Sequence, residues 1–77
     1  MKLRINEALA QAKASGKVIL KKELAAKLWP NSTALAQKTN LTNLINGATE
    51  RVSPEWVRII CKETGVSANF LLGIENN

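Results

Sequence analysis

Cys61 is the only cysteine in a 77-residue chain that contains no histidine. A disulfide within the chain and a zinc site built from Cys and His are both excluded. Chains this short commonly lean on such staples, so this one must hold together by apolar packing alone, with self-association a natural supplement. Aspartate is absent as well as histidine, which removes the commonest acid–base groups, and the six glutamates are scattered without pairing. With no phosphate-binding loop either, the composition points away from an enzyme. No cofactor or metal is expected. No stretch approaches 18 consecutive apolar residues, so no membrane span is expected. The N-terminus shows neither the apolar run nor the small-residue cleavage site of a signal peptide, and the expectation is a cytoplasmic protein with Cys61 reduced.

Apolar residues recur at helical spacing through most of the chain, and no segment reads as a strand. Leu3, Ile5, Ala8, Leu9 and Ala12 predict a first helix from about Lys2 to Ala14, ended by Ser15-Gly16. Val18 and Ile19 then read as a short buried connection. Leu20, Leu24, Ala25 and Leu28 predict a second helix over about 20–28, stopped by Trp29-Pro30-Asn31-Ser32 because Pro30 disfavours a helical Trp29. Ser32 is a candidate cap for a third helix, strongest over Lys38–Asn46, with Leu41, Leu44 and Ile45 turned inward and Gly47 closing it. Ala48 to Val52 reads as a loop. Ser53-Pro54-Glu55-Trp56 starts a fourth helix that runs to Thr64 before Gly65. Ser67 caps a short fifth helix, Ala68–Leu72, stopped by Gly73. The expected fold class is all-α, one domain over residues 1–77 with a short flexible tail at about 75–77.

Charge and polar composition narrow the partner. Residues 1–40 hold eight basic and two acidic side chains, whereas residues 41–77 hold three and four. This asymmetry fits a basic face aimed at a polyanion, and it also fits the solvated sides of amphipathic helices. Residues 37–46 carry Gln37, Thr39, Asn40, Thr42, Asn43 and Asn46, with Lys38 and no carboxylate. Asn and Thr are mediocre helix formers, and a merely soluble helix would use Glu and Lys instead. A helix set against phosphates and base edges needs this set of amides, hydroxyls and a cation; a frayed segment would suit the same residues. Trp56, in the first turn of the fourth helix, is expected in the core. Trp29 either packs the turn against the second helix or stays exposed. Cys61, among Ile59 and Ile60, reads as a small buried hydrophobe.

Taken in order, Glu23-Leu24-Ala25-Ala26-Lys27-Leu28, Leu41-Thr42-Asn43-Leu44-Ile45-Asn46-Gly47, Ser53-Pro54-Glu55-Trp56, and Gly65-Val66-Ser67 with Phe70-Leu71-Leu72-Gly73 resemble the Cro/C1-type helix-turn-helix family. That family includes phage repressors, Cro proteins and small bacterial regulators, and the resemblance covers about residues 4–74. It implies a compact five-helix, lambda-repressor-like domain with the helix-turn-helix formed by helices two and three. It also implies a transcriptional regulator, bacterial or phage-encoded, that binds double-stranded DNA at a near-palindromic operator as a homodimer. Read back from Gly47, Lys38, Thr39, Asn40 and Asn43 match the base-reading positions, with Thr42 on a base edge or a phosphate. Thr49 and Arg51 match positions that grip backbone phosphate, and Lys17, Lys21 and Lys22 are further phosphate candidates. The C-terminal Phe70, Leu71, Leu72 and Ile74 exceed what so short a helix buries by itself; some close the core and the remainder are candidates for a dimer seam. The same fold also serves antitoxins and phage accessory proteins that bind a protein partner, and the apolar C-terminus fits that alternative.

Two departures from the family pattern stand out. Leu20 replaces the usual polar cap of helix two, which leaves Lys21 or Lys22 to supply a phosphate contact. Gly47 lies 19 positions after Leu28, several more than the family's habit. Either helix three gains a turn at its N-terminus or residues 29–36 form an extended loop.

Overall fold

Each amphipathic segment becomes a helix in the computed structural model, which describes residues 2–74. The helices are α1 (Ile5–Ala14), α2 (Lys21–Leu28), α3 (Ala34–Asn46), α4 (Pro54–Thr64) and α5 (Ala68–Leu71). No strand occurs among the described residues, so the chain is all-α. The tail expected at 75–77 lies outside them.

Every helix contributes one fully buried large aliphatic side chain to a single core: Ile5, Leu24, Leu44, Ile60 and Leu71. Leu3, Ala8, Ala25, Leu28, Leu41 and Phe70 fill in around them. No helix could leave this cluster without opening it to water.

The expected start of the first helix is corrected. Leu3 is buried, yet Arg4 is non-helical, and α1 begins at Ile5. The Arg4 N–H donates to the carbonyl of Leu71 at 2.9 Å, and its guanidinium lies 5.6 Å from the centroid of the Phe70 ring. Arg4 is thus tied to the C-terminal helix through its N–H, while its carbonyl opens α1 by accepting from the Ala8 N–H at 2.9 Å. Val18, expected in a buried connection, is instead 69% exposed; of that pair only Ile19 packs against the core. At the other end α5 stops at Leu71, with Leu72 as its cap.

The segment between α2 and α3 resolves in favour of a longer third helix. Its N-cap is Thr33, not Ser32: the Thr33 hydroxyl accepts from the Ala36 N–H at 3.1 Å. Gln37 explains the shift. Its side-chain amide donates to the carbonyls of Trp29 (2.9 Å) and Ser32 (3.2 Å), which ties the turn to the helix that follows. Trp29 packs edge-on against Trp56, ring centroids 5.4 Å apart, so both indoles are half-buried where the turn meets α4. Glu23 substitutes for the missing cap of α2 by accepting from the Leu20 N–H at 3.3 Å. An ion pair of 2.6 Å between Lys27 and Glu63 links α2 to α4 and holds the Glu63 carboxyl below its usual range.

Gly47 ends α3 in the left-handed conformation (φ 77°), and a Cβ there would meet the Cβ of Lys2 at 3.0 Å. Gly65 has a similar φ of 81° with nothing within 4 Å. Gly65→Ala is therefore expected to cost about 1–2 kcal/mol through backbone conformation alone. Gly47→Ala is expected to cost more, because Lys2 must also move. Urea denaturation of the two variants checks the difference; equal losses would mean that Lys2 yields freely.

Candidate functional site

Lys21 and Lys22 stand at the N-terminal end of α2, across a cleft from α3. The cleft has a volume of about 600 Å³. Ala25, Ala34, Leu41 and Ile45 give it apolar walls, and Asn6, Gln37, Lys38, Thr42 and Asn46 add amides, a hydroxyl and a third cation. No carboxylate among the described residues lines it. A second hollow shares Asn6, Ile45 and Asn46 with it and adds Lys2, Arg4 and Glu7. Glu7 lies 4.0 Å from Arg4, so the one carboxylate of this strip has a cation beside it. The three lysines of the main cleft make no ion pair among the described residues. Their positive potential is left to act on something outside the chain.

Helical spacing divides the polar residues of α3. Leu41 and Leu44 are buried, while Lys38, Thr39, Thr42, Asn43 and Asn46 are exposed. Lys38 and Thr42 border the basic cleft. Asn43 lies toward the other edge, where a smaller hollow of about 240 Å³ is lined by Trp29, Asn40, Asn43, Thr49 and Trp56. Asn40 and Thr49 are only partly exposed there. The structure thus gathers Lys21, Lys22, Lys38 and Thr42 around one cleft, keeps Thr39 on the open face, and sets Asn40, Thr49 and the more exposed Asn43 around the hollow beside the indoles. Arg51 is exposed in the loop after α3.

Lys17 goes elsewhere. It lines a separate hollow with Glu23, Lys27 and Glu63, and its charge acts on Glu63. The start of α2 between Lys17 and Lys21 sends the two lysines to different flanks of the helix. Asn6, Gln37 and Asn46 are cleft residues that the sequence did not single out as such. The four-residue step from Lys38 through Thr42 to Asn46 is the signal that would have found the last of them.

The C-terminal apolar residues divide sharply. Phe70 and Leu71 are 5% and 0% exposed within the core of their own chain, which removes them from any seam between copies. Leu72 is half-buried against the core, and Ile74 is 71% exposed. Cys61 is partly buried, and that burial pushes its thiol pKa up, away from reactivity. No cluster of His, Cys, Asp or Glu able to hold a metal occurs among the described residues, and none of their helices is long and apolar enough to cross a membrane.

Comparison with family models, curated proteins and solved structures finds no match to this chain. What its own residues define is an all-α protein with a carboxylate-free, lysine-rimmed cleft beside its longest helix.

Proposed function

We propose that this chain is a sequence-specific DNA-binding transcriptional regulator of the Cro/C1 type, acting in the cytoplasm, with α2 and α3 as a helix-turn-helix in a lambda-repressor-like domain. The observation that carries the reading is the basic cleft. Three lysines from α2 and α3, with no ion pair among the described residues, converge on it, while the adjoining exposed face of α3 offers hydroxyls and amides without a carboxylate. Lysines of this kind hold phosphate through charge and without regard to sequence, and neutral donors and acceptors on a helix read base edges.

In this arrangement α3 enters the major groove and α2 lies across the backbone. Lys21 and Lys22 contact phosphate, joined by Thr49 and Arg51 from beyond the far end of α3. Lys38, Thr39, Thr42 and Asn43 face the bases. Asn40, half-buried beside the indoles, is the weakest of the base-contact candidates, and Lys17, engaged with Glu63, the weakest of the phosphate candidates. Two copies would bind a near-palindromic operator, and Ile74 is the exposed apolar residue left for a C-terminal seam.

Selection of bound duplexes from a random pool at physiological salt tests the reading. A palindromic consensus is the expected result. Equal affinity for selected and scrambled duplexes would overturn it and move the weight to a protein partner. Given a consensus, Asn43→Ala is expected to cost about 1–3 kcal/mol, mainly at one base pair of each half-site, as read by titration against single-base variants.

A further inference from the structure

The extra N-terminal turn of α3 carries the most exposed large hydrophobic residue among those described. Leu35 is 75% exposed, between an exposed Ala34 and a half-buried Ala36. The other exposed large hydrophobic residues among those described, Val18, Leu20 and Ile74, lie in connecting or terminal segments. Leu35 sits on a capped helix, so its backbone direction is fixed by the Thr33 hydroxyl and the Gln37 amide. Three-, four- and seven-residue steps place Lys38, Thr39 and Thr42 on its side of the helix. The first turn of α3 has no acidic residue. An apolar group therefore stands at the leading end of the face that also carries the polar readers.

We propose that Leu35 is a specificity-determining residue that recognises the 5-methyl group of thymine. The proposal rests on the reading that α3 docks in the major groove. Helices of that kind contact base edges through their N-terminal residues, which puts Leu35 foremost. Among the groups that base pairs display in that groove, the thymine methyl is the one that an aliphatic side chain can satisfy. Placed against an amino group or a carbonyl oxygen, the leucine would displace water and return no hydrogen bond, which disfavours other bases at that position. Lys38 one turn further along, and Lys21 and Lys22 across the cleft, supply the attraction that holds a duplex against this apolar tip.

The test uses the consensus duplex enriched by the wild-type protein, with each thymine replaced singly by deoxyuridine, which lacks only the methyl group. One replacement in each half-site is expected to weaken wild-type binding about fourfold, the effect of one buried methyl. Leu35→Ala should bind the parent duplex more weakly and be indifferent to that replacement. Its melting temperature and salt slope should match wild type, because the side chain is exposed and uncharged. A wild-type protein indifferent to every replacement, a consensus without thymine, or a Leu35→Ala variant that still discriminates would each overturn the proposal and leave the DNA-binding reading standing. Failure to enrich any sequence would overturn both. Sedimentation in which Leu35→Ala dissociates a wild-type dimer would assign Leu35 to a contact between copies and overturn the thymine reading.

Discussion

Replacing Lys21, Lys22 and Lys38 together by alanine is expected to lower affinity for duplex DNA roughly a hundredfold at physiological salt, since each lost phosphate contact removes about 0.9 from the slope of log K against log salt. The slope itself should fall by about 2, from the phosphate contacts of Lys21 and Lys22, while loss of Lys38 removes a base contact. All three side chains are exposed and none makes an ion pair among the described residues, so stability should hardly change. The control is a second triple variant, Lys13→Ala, Arg58→Ala and Lys62→Ala, which removes the same net charge from outside the cleft. Lys62 acts on Glu63 and Arg58 is paired with Glu55, which leaves little field for a distant polyanion. Titration of both variants over a range of salt concentrations separates the two ideas. If the two triple variants lose affinity equally, binding reports net charge alone and the cleft has no special place in it.

Much of this architecture was legible because helix ends announce themselves chemically. Gly47 and Gly65 close α3 and α4 in left-handed conformations, and the hydroxyls of Ser53 and Ser67 cap α4 and α5. Sequence and structure part where a long-range contact overrides a local pattern. Leu3 fits the apolar face of α1, but burial does not require a helix, and Arg4 is committed instead to Leu71 at the far end of the chain. Ser32 and Thr33 are both competent caps, and the choice between them depends on where Gln37 can reach back to the turn.

The candidate site shows the same division. The excess of lysine ahead of residue 41 was visible, but the side of α2 to which each lysine falls was not. Thr39 and Asn40 are neighbours in sequence, yet a helix rotates about 100° per residue, so one faces solvent and the other turns toward Trp29 and Trp56. Phe70 and Leu71 looked alike as core or seam because counting apolar residues does not reveal how much surface the other four helices leave uncovered. Leu35 is not legible as a surface residue, because an apolar residue in a helix reads as core until the fold shows which way it points.

Leu44 supplies the sharpest test of how the fold carries the site. Leu44→Ala removes a side chain with 0% exposure from the point where α3 meets the other helices, and it is expected to cost about 2–5 kcal/mol. Domains of ordinary stability have only about 5–15 kcal/mol in total, and a chain this small with a single cysteine belongs near the lower end. The variant should therefore unfold at a much lower urea concentration than wild type and be partly unfolded at elevated temperature. Leu35→Ala makes the same chemical change on the same helix, at a side chain that is 75% exposed, and should leave the urea midpoint almost where it was. Similar losses from the two substitutions would contradict the packing of α3 described above. DNA adds a second readout, because a ligand that binds only the folded state stabilises it by mass action. Saturating consensus duplex should restore much of the melting temperature of Leu44→Ala if α3 is the element that docks, since binding would hold in place the helix that the cavity has loosened. Protection that is absent for Leu44→Ala but present for wild type would instead mean that the substitution has dismantled the reading face, and that Leu44 sets the orientation of α3 as well as its stability.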